Sequence, residues 1–190
     1  MMNKYQYFWN FFVKSEQQII TLLEEHPEDV VLMMSEQLNK IHPDLAFEIY
    51  KDTEKENMTL IVSADGNSEL FPLVEDLFNY EVTIKNWDIY KFRPALNEKY
   101  QFVELDGIEI SYDDVRVEVD EDLNIKVYIK GYNNSDNRYV HAYFLLLDTL
   151  IGEYDAVTLI NETSVFPYDG KKGIPLIELK NIIEQYRKKE

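Results

Sequence analysis

The residues of this chain that could do acid–base chemistry are its histidines and carboxylates. His141 and Asp148 lie seven positions apart in a segment with helical spacing, and a His–Asp pair can orient a general base. Seven residues of helix separate two side chains by about 10 Å along the axis, which is too far for a direct hydrogen bond. No G-x-S-x-G sequence supplies a serine nucleophile. We therefore interpret both residues as structural and assign no catalytic residue.

A second candidate is an acidic loop that partly matches a calcium-binding loop. Asp120, Asp122 and Asn124 have the spacing of the first three ligands of an EF-hand. That loop also needs a glycine at its sharp turn and a bidentate glutamate at its end, where this chain has Ile125 and Gly131. A turn between two strands explains the pattern better, and we predict no metal site.

Several other chemistries are excluded by composition. The chain has no cysteine, which removes disulfides, thiolate nucleophiles and Cys-ligated metals. Its six glycines are scattered, without the G-x-G-x-x-G or Walker pattern of nucleotide-binding loops, and we expect no cofactor. The apolar N-terminus lacks the features of a signal peptide, and no apolar run approaches the roughly 20 residues that span a bilayer. We expect a cytoplasmic protein.

The charge balance is strongly acidic, with 36 acids against 19 lysines and arginines and a net charge of −17. Such a field repels nucleic acids and anionic membranes, so we predict neither as a partner, and it favours a basic protein. Residues 101–125 hold nine acids against one base, Arg116. From this segment we select as partner-binding candidates Asp113, Asp114, Glu118, Asp120, Glu121 and Asp122.

Aromatic residues are concentrated near the N-terminus, where residues 5–12 contain six rings. These rings would occupy all sides of a helix. Either the helix is buried on several faces, or one face docks on a partner or lines a small apolar pocket. We include Tyr7, Trp9 and Phe11 among the partner-binding candidates.

Apolar spacing predicts an α+β fold with a helical segment at residues 1–42, ended by Pro43. Beyond it we expect strands at 45–50, 58–63, 87–93, 100–105 (continued by 108–110 after a turn), 115–119, 125–129 and 154–166, and helices at 68–80, 135–151 and from 175. Because strands mostly follow strands, we predict one mostly antiparallel sheet of about six to seven strands with helices on one face. Residues 43–190 would form this sheet with its helices, within a single domain of residues 1–190.

The hairpin at 115–129 permits a prediction of its register. Pairing Val119 with Ile125 places three valines opposite three apolar residues on the inner face. The outer face then sets Glu118 against Lys126, and Arg116 meets Tyr128.

Several sequence segments together resemble an uncharacterised family of small bacterial cytosolic proteins. They are Phe8-Trp9-Asn10-Phe11-Phe12, Ile41-His42-Pro43-Asp44-Leu45, Ile61-Val62-Ser63-Ala64-Asp65-Gly66, Leu70-Phe71-Pro72, and the helix Tyr143–Leu150 followed by Gly152-Glu153-Tyr154-Asp155. No activity is assigned to that family. The resemblance therefore implies a fold and a bacterial cytosolic setting, without a function.

Three functional hypotheses remain open. The first, which we favour, is a non-enzymatic interaction protein, such as an immunity-like inhibitor of a basic partner. The second is a small-ligand-binding protein or a carboxylate-dependent enzyme with an aromatic-lined pocket. The third is self-association through the N-terminal helix.

Overall fold

The structure is a computed structural model that describes residues 2–52, 56–96, 102–170 and 172–188. The chain divides into two compact units, Met1–Arg93 and Pro94–Glu190. The described residues form six α-helices and nine strands, which confirms the α+β class and the helical N-terminus. The prediction of one large sheet is wrong, because the strands form separate sheets of three, two and four strands. The single-domain assignment stays a prediction.

The first unit begins with two helices and continues with three strands and one helix. Its elements are α1 (Lys4–Glu25), α2 (Pro27–Leu38), β1 (Ala46–Lys51), β2 (Met58–Ser63), α3 (Phe71–Phe78) and β3 (Trp87–Lys91). A 3-10 turn, Ser68–Leu70, leads into α3.

Local sequence explains where α1 begins and ends. The Asn3 side chain accepts a hydrogen bond from the Gln6 N–H, and the Gln6 side chain accepts one from the Asn3 N–H, which forms a capping box. At the other end His26 precedes Pro27, and a residue before proline avoids the α region. Pro27 is the first residue of α2, where its missing N–H costs no hydrogen bond because the first N–H groups of a helix have no partner within it.

The sheet of the first unit is mixed. β1 and β2 form the predicted antiparallel hairpin, although residues 53–55 of its loop lie outside the described residues. The chain then crosses through α3 and returns as β3, which runs parallel to β2. Every residue of β2 is buried, as is usual for a central strand covered on both faces.

The second unit contains the remaining strands and helices. They are β4 (Phe102–Leu105), β5 (Ile108–Ser111), β6 (Val115–Val119), β7 (Ile125–Ile129), α4 (Arg138–Ile151), α5 (Glu153–Leu159), β8 (Thr163–Pro167), β9 (Ile174–Pro175) and α6 (Glu178–Arg187). β4 pairs with β5, and the larger sheet has the order β8-β7-β6-β9. The predicted strand at 100–105 begins at residues 100 and 101, which lie outside the described residues.

The β6–β7 hairpin has the predicted register. Val119 pairs with Ile125, Glu118 with Lys126, and Arg116 with Tyr128. Val117 and Val127 are completely buried and pack in the same apolar cluster as α4. The hairpin therefore turns its apolar face to the core and its charged face outward.

The long strand predicted at 154–166 is wrong in its first half. The chain forms α5 there, and only Thr163–Pro167 is extended. Glu153 and Ala156 are buried three positions apart, which is a helical spacing. Gly152, with φ +87°, separates α4 from α5, so the glycine ends one helix without ending helical structure.

Both units repeat one topological pattern. A β-hairpin is followed by a helical crossover and by a strand parallel to the second hairpin strand: β1-β2-α3-β3, and then β6-β7-α4-α5-β8. A parallel neighbour needs such a crossover, whereas antiparallel neighbours need only a short turn. The two parallel pairs are the main departure from the predicted antiparallel sheet.

The segment between β8 and β9 crosses the outer face of the larger sheet, because β8 and β9 are its two edges. The Arg116 guanidinium lies 6.0 Å from the Tyr168 ring centre, and the Lys172 Nζ lies 5.6 Å from that of Tyr128. At the end of this crossing Gly173 has φ +79° and packs directly on β6. A Cβ there would lie 2.7 Å from the Val117 carbonyl oxygen.

We expect Gly173→Ala to destabilise the protein more than Gly170→Ala does. Both glycines have positive φ, which costs an alanine about 1–2 kcal/mol, but a Cβ at Gly170 meets nothing within 4 Å. The clash with Val117 should add about 1–3 kcal/mol to the first variant. Denaturant unfolding of both variants measures the difference, and equal losses would contradict the close approach of this segment to β6.

Candidate functional site

The predicted site residues fall on two elements, one in each unit. Tyr7, Trp9 and Phe11 lie on α1, and the six acids lie on the β6–β7 hairpin and the turn that precedes it. Each group is described by itself.

Trp9 is a core residue, so its assignment to a partner surface is wrong. Its side chain is 1% exposed, and its Nε1–H donates a hydrogen bond of 2.7 Å to the Leu77 carbonyl. The indole ring meets Phe12 and Phe78 edge to face. Burial on one side of α1 follows from the packing of that helix on α3, which the N-terminal sequence cannot reveal by itself.

Tyr7 and Phe11 keep contact with solvent. Tyr7 is 53% exposed, and Phe11 is half-buried. Both line a surface groove of about 610 Å³ between α1 and the end of α2. Among the described residues, the side chains that line this groove carry amines, amides and aromatic rings, and none is a carboxylate. The groove has aromatic residues in its lining, but its described residues offer no acid for a carboxylate-dependent reaction.

Asp120 organises the turn of the β6–β7 hairpin. Its Oδ1 accepts hydrogen bonds from the N–H groups of Asp122 and Asn124, at 3.0 and 2.9 Å, and its Oδ2 accepts one from the Asn124 side-chain amide. The bonds from the Asn124 side chain and backbone hold the pKa of Asp120 below its ordinary value. Both carboxylate oxygens point at donors of the turn itself, so this loop is a hairpin turn.

Two further acids have partners within the second unit. Glu118 accepts a hydrogen bond of 2.9 Å from the Tyr128 hydroxyl, and desolvation together with this hydrogen bond raises the pKa of Tyr128. Partial burial opposes ionisation of Asp114, but the hydrogen bonds from Ser111 and the nearby Lys130 outweigh it, and the pKa of Asp114 is lowered. Glu118 lies opposite Lys126 as predicted, but the partner of its carboxylate is the Tyr128 hydroxyl.

The remaining predicted acids, Asp113, Glu121 and Asp122, are exposed. Within the described residues, no lysine or arginine forms an ion pair with Glu121 or Asp122. Next to them a shallow groove of about 350 Å³ is lined by acidic and polar side chains that include Glu118, Asp120 and Glu162. Lys126 is the one base in its described lining. We call Glu118, Asp120, Glu121, Asp122 and Glu162 the acidic tip.

A second acidic groove lies between α3 and β3 and was not predicted. It measures about 640 Å³, and its lining includes Glu75, Asp76, Glu81 and Tyr90. Partial desolvation raises the pKa of Glu81. The sequence places Glu75 and Asp76 on a predicted helix. It does not reveal that they lie opposite β3, because this position depends on the parallel crossover between β2 and β3.

The His–Asp pair considered from the sequence has two different environments. His141 is exposed on α4, whereas Asp148 is 7% exposed in the core. Their separation on the helix and this difference in burial exclude a direct pair. Among the described residues, no group of three or more histidines and carboxylates is arranged to hold a metal ion.

Comparison of the chain with protein-family models, with curated proteins and with solved structures found no match. Among the helices of the described ranges, none has the length and apolar character needed to cross a bilayer.

We expect Asp120→Asn to lower the thermal unfolding midpoint at neutral pH, because the folded state favours the ionised carboxylate of Asp120. This stabilisation is present above the unfolded-state pKa of about 3.9 and is lost as the pH falls through the lowered folded-state pKa. The difference between wild type and variant should therefore disappear in acid. Circular dichroism melts between neutral and acidic pH measure it.

The matched control for this prediction is Asp122→Asn, which removes an exposed carboxylate from the same turn. Its unfolding midpoint should stay close to that of the wild type at neutral pH. A loss in Asp120→Asn that persists unchanged in acid would show that the charge of Asp120 does not support the turn.

Proposed function

We propose that this protein is a non-enzymatic interaction protein that binds a basic partner through the acidic tip. The observation that carries the proposal is the exposure of Glu121 and Asp122 beside a groove whose lining includes Glu118, Asp120 and Glu162. Five carboxylates at one end of a sheet attract lysine and arginine side chains, and the groove offers room for one of them.

The rigidity of the turn supports this proposal. Three hydrogen bonds to Asp120 hold the backbone of the turn, and the flanking strands are paired along their full length. A preorganised surface loses little conformational entropy when a partner binds, so more of the electrostatic attraction appears as affinity. The charge of −17 would in addition steer a basic partner toward the protein and speed association at low salt.

An inhibitor of a basic protein, as immunity proteins are for nuclease toxins, is the most specific form of this proposal. The resemblance to a bacterial cytosolic family and a cytoplasmic location are parts of the same proposal. The acidic residues would occupy the surface that a basic enzyme uses for its polyanionic substrate. Nucleic acids and anionic membranes are not expected as partners, because their negative charge is repelled by these same acids.

The competing hypothesis of a small-ligand-binding protein or a carboxylate-dependent enzyme has its best location in the groove between α3 and β3. The raised pKa of Glu81 favours it, because perturbed carboxyl groups occur at many catalytic sites. Glu75 and Glu81 are nevertheless exposed to solvent, whereas catalytic carboxylates with strongly shifted pKa values are usually desolvated. We therefore place this hypothesis second.

We expect Glu121→Gln/Asp122→Asn to weaken binding of a lysine- and arginine-rich peptide about fivefold, the effect of truncating one significant interface contact. The matched control is Glu24→Gln/Glu25→Gln at the exposed end of α1, which removes the same charge. Isothermal titration calorimetry at low and high salt gives both affinities. Equal weakening by the two variants would mean that the peptide senses only net charge, and the proposal would be wrong.

A further inference from the structure

The groove between α1 and α2 has the opposite charge to the rest of the protein. The first 42 residues contain three lysines and six acids. All three lysines, Lys4, Lys14 and Lys40, line the groove, and none of the six acids does. A chain with a net charge of −17 thus has a local positive surface on its N-terminal helices.

These lysines are available for a ligand. Within the described residues, none of them has a carboxylate at ion-pairing distance, whereas Arg93, Lys130 and Arg138 each have at least one. The Lys4 Nζ donates to the Ile41 carbonyl at 3.3 Å, and the Lys40 Nζ donates to the Gln37 Oε1 at 2.8 Å. Neutral acceptors hold these amines at the groove without cancelling their charge.

Aromatic rings lie between the two lysines of α1. Lys4, Tyr7, Phe11 and Lys14 follow one another at intervals of three or four residues, so they form one stripe along the helix, and Phe8 lies next to Tyr7. Phe8 is buried at the base of the groove, Phe11 is half-buried and Tyr7 is 53% exposed. The stripe therefore offers apolar surface in its middle and positive charge at both ends.

We propose that this groove binds an acidic amphipathic helix of another protein. Lys4 and Lys14 are ten residues apart, about 15 Å along the helix axis, which is too far for one small anion to bridge. A helical segment of about three turns matches this length, with apolar side chains against Tyr7 and Phe11 and carboxylates toward the lysines.

The groove fits a peptide better than it fits a nucleic acid. Single-stranded nucleic acids also stack on aromatic rings beside lysines, but their dense negative charge meets the repulsion of the whole molecule. An acidic peptide carries fewer charges and has apolar side chains for the base of the groove. This surface is independent of the acidic tip, so either proposal can fail without the other.

The probe for the experiment is a fluorescently labelled 16-residue peptide with leucines at positions i, i+3, i+4 and i+7, four glutamates on either side of this stripe and alanines elsewhere. We expect anisotropy to show binding that Lys14→Glu/Lys40→Glu reduces at least about tenfold. Lys85→Glu/Lys91→Glu, which makes the same charge change at exposed positions outside the groove, should have little effect. Tyr7→Ala, at an exposed position, should weaken binding about fivefold.

Four results would overturn the proposal. The first is the absence of binding up to about 1 mM peptide, and the second is equal loss in the two double-lysine variants. The third is a dimer in sedimentation that Tyr7→Ala dissociates, which would assign the groove to a second copy of the chain. Tighter binding of a labelled single-stranded oligonucleotide than of the peptide would assign it to nucleic acid. Circular dichroism checks that each variant is folded. If Tyr7→Ala does not fold, the lysine variants alone decide whether the groove binds the peptide.

Discussion

The alternation of apolar and charged side chains along the β6–β7 hairpin determines where the second unit presents its charge. Val117 and Val127 are buried on one face beneath α4, so Glu118 and Lys126 must lie on the other. A shift of one residue in this register would bury the acids and expose the valines, at a cost that no surface interaction could offset. The acids at the end of the hairpin are therefore held outward by the packing of the core, and their exposure does not depend on a partner.

Sequence patterns predicted local structure well and long-range pairing poorly. The hairpin register followed from alternation and from opposite charges across the strands, which are properties of adjacent segments. The parallel pairing of β3 with β2 and of β8 with β7 could not be read from neighbouring residues, because each pair is joined through a helical crossover. The misassigned start of β8 has a local cause: α5 buries the charged Glu153 three positions before Ala156, and a buried acid leaves no apolar pattern that would indicate a helix.

For the candidate site, too, local features were predictable from the sequence and long-range packing was not. Exposure of the hairpin acids was predictable, because charge on the outer face of a strand is the ordinary case. Which of the N-terminal rings are buried was not predictable, because six rings on all sides of one helix do not indicate which side packs. Trp9 packs inward on Leu77 and Phe78 of α3, whereas Tyr7 lies at the surface beside two lysines of α1 and one from the turn after α2. The lysine cluster itself joins residues 4, 14 and 40, which only the packing of α1 against α2 brings to one groove.

The shortness of β9 affects how the molecule behaves in concentrated solution. β9 pairs only with Arg116 and Val117, so along that side of β6 the described residues supply no strand partner for Glu118 and Val119. Open strand edges can recruit a strand from a neighbouring molecule and start aggregation. Here the open stretch contains Glu118 and is followed directly by Asp120, and their negative charges would repel the same charges on an approaching copy. The acids of the hairpin would thus protect the edge of their own sheet against aggregation, independently of any partner.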